Sequence, residues 1–399
     1  MELINRFILN KLQQEINRPE VNILLGARQV GKTTLLHALE QYAQSQGYQT
    51  AFFDLEQPQV LAEFNRSSQQ IINRLKEAGQ IVFIDEFQYL ANASKIFKAL
   101  YDSGEKIKII CSGSSSLEIH KHLQESLAGR RILFHIDPLL YSEIKSAQPQ
   151  FALSEYLAYG GMPALTHTHS DSRKQMILSE FLSAYILKDV KSLVREESIS
   201  AFNHLLYLLA QNQGSLVSVH SLSGEINMSA KTVARYLDIL EQTFVSFHVY
   251  SYSTNLGNEL KKSFKTYFYD TGIRNAILRD YSQFDERCDQ GALLESMVFM
   301  ILRNRLQPNM EIKFWRTKDG AEVDFILLKN RRPIPIEVKS RLSNRESPPG
   351  LKKFIDRYPD TPIAYVFNLN QSGEARQKSC CVKFLTFEEL TQEYHELFA

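Results

Sequence analysis

The chain has 399 residues, 44% of them hydrophobic and 23% charged, with 46 Lys and Arg against 45 Asp and Glu. That length accommodates two or three domains with separate cores, and a net charge of +1 excludes a global field that recruits nucleic acid or an anionic membrane. The four cysteines (Cys111, Cys288, Cys380, Cys381) have no Cys-x-x-Cys spacing, and no apolar run approaches the roughly 18 residues of a membrane span.

The first residues, Met1-Glu2-Leu3-Ile4-Asn5-Arg6, lack the basic-then-apolar layout of a signal peptide, so the expected location is cytoplasmic, with no membrane partner. Phe7, Leu9, Leu12 and Ile16 then mark a short amphipathic helix. An apolar run, Val21 to Leu25, breaks into Gly26-Ala27-Arg28-Gln29-Val30-Gly31-Lys32-Thr33-Thr34, a complete phosphate-binding loop. The glycines let the backbone turn its N–H groups toward phosphate oxygens. Lys32 supplies a cation for the outer phosphates, and Thr33 a hydroxyl for Mg²⁺. A helix from Thr33 to about Gln46 aims its positive end at the same place.

Gln49 to Leu55 reads as a strand and Ile71 to Ala78 as helical. Ile81-Val82-Phe83-Ile84 suits a strand buried on both faces of a parallel sheet, with Asp85 and Glu86 at its C-terminal end. Asp85 is placed to hold Mg²⁺ through water, and Glu86 to polarise an attacking water as general base. Ile107 to Cys111 is a further strand. Ser112 or Ser114, just past it, is placed to sense the outermost phosphate, while Ser115 and Ser116 read equally as helix caps. Gly129-Arg130-Arg131 precedes a fifth strand, Ile132 to Ile136.

This order resembles the AAA+ ATPases, most of all the bacterial and archaeal branch whose C-terminal half has been filed as a domain of unknown function. The matching pieces are the loop at 26–34, Asp85-Glu86, Gly113-Ser114-Ser115, Gly129-Arg130 and Gly160-Gly161-Met162-Pro163. The resemblance runs from about residue 1 to 385. It implies ATP and Mg²⁺ as cofactors and ATP hydrolysis as the activity. It offers Arg130 as an arginine finger, with a plain surface arginine as the alternative; a finger acting in trans requires a homo-oligomer. Helices over 151–198, including Gln175 to about Val194, would form a lid, with Pro163 beside the adenine.

Residues 199–280 fit a winged helix: helices at Ala201–Gln211, Val219–Ile226 and Ala230–Gln242, then strands at Phe244–Tyr252 and Thr266–Tyr269. Ser229 caps the third helix, which carries Lys231, Thr232, Arg235 and Tyr236 toward DNA. Over residues 199–270 five basic residues meet five acidic ones, which tempers that reading. Asp270-Thr271-Gly272-Ile273-Arg274 recurs in the family without an evident mechanism.

In the last part, Glu295 on a helix, Asp324 on one strand and Glu337-x-Lys339 on the next follow an α-β-β-β-α-β order that resembles the PD-(D/E)xK nuclease superfamily. Residues two apart on a strand share a face, so Glu337 and Lys339 project together. Glu295, Asp324 and Glu337 would hold Mg²⁺ or Mn²⁺, and Lys339 would activate water. Residues 285–385 carry 18 Lys and Arg against 13 Asp and Glu, which favours phosphate. His167-x-His169 has no zinc spacing and reads as solvated.

The expected fold is α/β: a parallel-sheet P-loop AAA+ core with helical lid, then a winged helix and a restriction-endonuclease-like domain. The boundaries are 1–150, 151–198, 199–280 and 285–399. The leading expectation is an ATPase acting on DNA with a metal-dependent nuclease domain. The alternative is an ATP-controlled switch or DNA-binding regulator whose C-terminal domain is catalytically inactive.

Overall fold

The computed structural model describes residues 4–114, 127–184, 199–253, 263–392 and 397–398. Backbone contacts divide the chain into two compact units. One comprises residues 1–139, 162–167 and 242–245, the other 140–161, 168–241 and 246–399.

The first unit is built on a five-stranded parallel sheet in the order β2-β3-β4-β1-β5. Its strands are β1 (Val21–Gly26), β2 (Thr50–Asp54), β3 (Ile81–Asp85), β4 (Lys108–Ser114) and β5 (Arg131–His135). Every residue of β1 and β3 is buried, which is why both read as mostly apolar rather than alternating, with Asn22 and Asp85 the polar exceptions. The helices are α1 (Phe7–Gln14), α2 (Lys32–Ser45), α3 (Pro58–Phe64), α4 (Ser68–Ala78) and α5 (Ala93–Asp102). A reciprocal cap between Ser67 and Gln70 starts α4 three residues before its apolar stripe begins.

The second unit opens with α6 (Tyr141–Ala147), α7 (Leu153–Tyr159) and α8 (Asp171–Phe181). The helix expected from Gln175 to about Val194 is seen to Phe181; residues 185–198 lie outside the described residues, as do Ser115 and Ser116. Next come α9 (Ile199–Gln211), α10 (Val219–Glu225) and α11 (Ala230–Gln242). A three-stranded antiparallel sheet of β6 (Leu216–Ser218), β7 (Ser246–Tyr250) and β8 (Ser263–Phe268) accompanies them, ordered β6-β8-β7. Ser229 Oγ accepts from Thr232 N–H at 3.1 Å, as its capping role requires. Tyr236 departs from expectation. It is 2% exposed and stands edge-on to Phe202, so it belongs to the core of this bundle and not to the outward face of α11.

Beyond β8 lie α12 (Thr271–Leu278) and α13 (Gln290–Asn304). A six-stranded mixed sheet follows in the order β13-β14-β12-β11-β10-β9. Its strands are β9 (Met310–Arg316), β10 (Glu322–Lys329), β11 (Arg332–Val338), β12 (Ile363–Asn368), β13 (Gly373–Gln377) and β14 (Cys380–Thr386), with α14 (Pro349–Arg357) between β11 and β12 and α15 (Phe387–Gln392) at the end. The sheet core holds Leu351, Ile355, Val366, Val382 and Phe384.

The segment Asp270–Asn275 has a structural explanation. Asp270 caps α12, taking N–H bonds from Ile273 (3.0 Å) and from Gly161 (2.8 Å). Thr271 Oγ1 donates to Tyr156 O, and Asn275 Nδ2 donates to Leu157 O and Ala158 O. Arg274 Nε donates to Ala210 O and its guanidinium pairs with Asp289. The segment therefore adds hydrogen-bond partners to carbonyls at the C-terminal ends of α7 and α9.

Candidate nucleotide site and a second acidic centre

The loop after β1 has the backbone its glycines were expected to allow. Gly31 sits at φ +92° and Gln29 at φ +61°. A Cβ on Gly26 would lie 2.2 Å from the Ile136 carbonyl oxygen, so only glycine fits there. Ala27 and Val30 are buried and pin the loop, while Arg28, Gln29, Thr33 and Thr34 are exposed on its outer side. No side chain caps α2 and its first turn holds no acidic residue, which leaves its leading N–H groups for an anion. Lys32 is 5% exposed, and its Nζ donates to Gly26 O at 3.1 Å and Ala27 O at 2.8 Å. Burial lowers its pKa, against the pull of Glu86 and Asp85.

The two carboxylates after β3 are held by the end of β4. Ser112 is hydrogen-bonded to Asp85 Oδ1, which also takes the Glu86 N–H at 3.1 Å. Glu86 adopts a left-handed backbone, φ +52°. Its Oε2 accepts from Ser114 N–H at 3.3 Å and from Gln88 Nε2, and Gln88 Nε2 also reaches Ser114 Oγ at 3.1 Å. Ser112 thus orients Asp85, while Ser114 and Gln88 orient Glu86. A Cβ on Gly113 would come 2.7 Å from the Phe87 ring, so this close approach needs glycine. Glu56, beyond β2, has a pKa raised by burial and by the negative charge of Glu86 and Asp54.

Beside the loop lies a pocket of about 330 Å³ lined by Ile4, Leu9, Leu35, Leu139, Pro163 and Thr166. Arg6 closes one wall. It is 6% exposed and donates to Val30 O at 3.0 Å and Asp137 O at 2.7 Å, bracing the loop from behind. Arg6, Gln88 and Glu56 were not found by sequence reasoning; only Gln88, two residues past the acidic pair, carried a signal.

Mg²⁺ dehydrates reluctantly and takes one or two protein ligands beside substrate phosphates. The exposed Thr33 hydroxyl and the anchored Asp85 match that modest demand. Arg130 lies elsewhere. Its backbone carbonyl accepts from Val21 N–H at 2.9 Å, at the start of β1, whereas the loop follows the end of that strand. Six strand residues put roughly 16 Å between those edges. Its guanidinium pairs with Asp102 at 2.7 Å. Within one chain the Arg130 guanidinium is paired with Asp102, at the end of β1 opposite the loop.

The second unit brings the four signature residues together, with additional company. Lys339 Nζ lies 2.6 Å from Glu337 Oε1 and 4.0 Å from Asp324 Oδ2, and Val338 N–H donates to Asp324 Oδ2 at 2.8 Å. Lys265, from β8, sets its Nζ 2.6 Å from Glu322 Oε1, 3.5 Å from Glu295 Oε2 and 3.7 Å from Asp324 Oδ1. Burial opposes its charge, but Glu295, Asp324 and Glu322 together overcome that and raise its pKa. Burial, reinforced by Asp324, pushes Glu295 up to about 7 and Glu337 up to about 8. Glu337 Oε2 is buried with no hydrogen-bond partner among the described residues.

Glu295, Asp324 and Glu337, expected to hold Mg²⁺ or Mn²⁺, each face a lysine here. Two ammonium groups stand among these oxygens, and among the described residues no three His, Cys, Asp or Glu side chains are arranged to hold a metal ion. His167 and His169 are exposed, as expected. Among the described residues no helix is long and apolar enough to cross a membrane.

A family model described as "AAA domain" matches residues 18–145, and two described as domains of unknown function match 150–283 and 290–390. An uncharacterized protein of Haemophilus influenzae is 26% identical over 374 residues, covering 88% of this chain and 90% of its own. One of Mycobacterium tuberculosis is 25% identical over 346 residues, covering 86% and 74%. Among solved structures, AMPPCP-bound DnaA from Aquifex aeolicus aligns with 16% identity and a TM-score of 0.30 over 59% of this chain and 86% of that one. The AAA-domain match, the five-stranded parallel sheet and the loop geometry agree on a P-loop, AAA-type nucleotide-binding core in residues 18–145. Beyond residue 145 the chain is similar to domains and relatives to which no function is assigned.

Proposed function

We propose that the protein is an ATP-hydrolysing AAA+ switch that contacts DNA through residues 199–268 and whose C-terminal domain does not cut. The observation that carries it is the pairing of a complete phosphate loop with a Glu86 carboxylate held by Ser114 and Gln88. The loop N–H groups and the start of α2 bind the phosphates, and Lys32 exchanges its two carbonyls for phosphate oxygens. Thr33 and Asp85 would hold Mg²⁺, which when bound neutralises charge on the outer phosphates. Glu86 takes the proton of the attacking water, in an orientation that Gln88 preserves. The apolar pocket beside Gly31, with Pro163 on its wall, accepts the base. Arg130 acts, if as a finger, on the site of a neighbouring copy.

Helix, strand, two helices and two strands, with sheet order β6-β8-β7, support a winged-helix reading of 199–268. Lys231 and Arg235 lie on the exposed face of α11 and are its DNA-facing candidates. The α13-β9-β10-β11-α14-β12 order supports a restriction-endonuclease-like reading of the C-terminal sheet, with Lys265 at its acidic centre. The test is ATP turnover by purified wild type, Lys32→Ala and Glu86→Gln; wild-type-like turnover by Lys32→Ala would sink the proposal. Gel-shift retention of DNA unchanged in Lys231→Ala/Arg235→Ala would move α11 to a protein-binding role.

A further inference from the structure

We propose that Lys265 is a built-in cation standing where a divalent ion would sit, so that the native centre takes no metal and loss of Lys265 opens it to an oxygen-seeking divalent cation. The inference is independent of the nucleotide site.

Three carboxylates from two elements converge on one ammonium: Glu322 at 2.6 Å, Glu295 at 3.5 Å and Asp324 at 3.7 Å. Carboxylate oxygens are the hard ligand type that Mg²⁺ or Mn²⁺ takes once they can close around an ion. The lysine is not a surface side chain that happens to fold inward. It is 1% exposed, and its residue is the middle partner of a three-strand ladder, opposite Leu216 on β6 and Val249 on β7. Its Nζ also stands 5.9 Å from the centroid of the Phe314 ring. Tyr267, two residues along β8 and so on the same face, donates its hydroxyl to Glu295 Oε2 at 3.0 Å. One strand therefore delivers an ammonium and a phenol to the same carboxylate.

Charge closes the argument. Lys339 stands on the far side, 2.6 Å from Glu337, and Arg316 takes the other oxygen of Glu322 at 2.7 Å. An ion entering the native centre would have to displace a buried ammonium from its three carboxylates.

The experiment is Mn²⁺ titration of the full chain without nucleotide, followed by loss of the free-ion signal in electron paramagnetic resonance. Wild type, Asp324→Asn, Lys265→Met and Lys265→Met/Asp324→Asn are compared. The expected result is no Mn²⁺ in wild type that Asp324→Asn removes. Lys265→Met should gain one Mn²⁺ per chain, at least tenfold tighter than any wild-type binding, and lose it in the double variant. An Asp324-dependent Mn²⁺ in wild type overturns the proposal, as does a folded Lys265→Met that gains none. Should Lys265→Met not fold by circular dichroism, Lys265→Gln stands in for it, and the wild-type titration decides in either case.

Discussion

The buried lysines Lys32 and Lys265 both face acidic surroundings and are held in opposite ways. Lys32 donates to two neutral carbonyls, and burial keeps its pKa down although Glu86 and Asp85 are near. Lys265 is buried as deeply, yet three carboxylates outweigh the burial and raise its pKa. A desolvated cation with only dipoles for partners is stabilised further by any anion that arrives, so Lys32 is set for phosphate. A cation already matched by carboxylates gains nothing from a ligand and serves as an internal counterion. Equal depth of burial thus says little about a lysine's role; the charge of its partners decides it.

Variants of each side should separate the two roles. Removing Lys265 leaves Glu295, Glu322 and Asp324 facing one another, and Lys265→Ala should cost about 3–5 kcal/mol in urea unfolding. A variant as stable as wild type would abolish the contrast. Lys32→Ala should do the reverse, losing ATP turnover by about 10²–10³-fold with unfolding midpoints unmoved. Glu86→Gln should bind a nucleotide analogue normally but turn over roughly 10²-fold more slowly, measured by single-turnover hydrolysis. Gln88→Ala, which only frees Glu86 to rotate, should cost about tenfold in kcat with KM unchanged.

The smallest effect is on pH. Burial raises Asp270 from 3.8 to about 6 despite backbone N–H bonds from Gly161, Ile273 and Gly272. The folded chain then holds this proton more tightly than the unfolded one. The contribution of Asp270 to stability is fully present below about pH 3.8, declines as pH rises toward 6, and is lost above it. Unfolding midpoints taken between pH 4 and 7 should show the decline in wild type and a flatter profile in Asp270→Asn.

The nucleotide site was legible because its residues are contiguous and its demands fall on the backbone. Gly26, Gly31, Lys32 and Thr33 announce a conformation as well as a chemistry, and Asp85-Glu86 ends a strand that could only be central. The C-terminal signature was legible in part: Glu295, Asp324, Glu337 and Lys339 do meet. What they meet was not legible. Lys265 precedes Glu295 by thirty residues and sits in a different sheet from Glu322 and Asp324, so no spacing rule connects them, and its charge alone marks it as one more basic residue. Arg6 escaped for the same reason, since its partners Val30 and Asp137 are joined to it only by the fold. Tyr236 is different, because Val233, Tyr236, Leu237 and Leu240 recur at helical spacing and are all buried; the periodicity pointed inward. The β13–β14 hairpin was missed although Cys380, Val382 and Phe384 alternate as a half-buried strand should.

The Asp270 clamp leaves a trace in the covariation of sequences. A Cβ at Gly160 would lie 2.0 Å from Asp270 Oδ1, so a side chain at 160 requires the carboxylate to leave. At Gly272 the obstacle is the Tyr159 carbonyl oxygen, also at 2.0 Å, which no exchange of partners removes. Position 272 should therefore stay glycine in any homologue that keeps this turn. Position 160, at φ +77°, should depart from glycine only toward residues such as Asn that tolerate that backbone, and only where position 270 has changed as well.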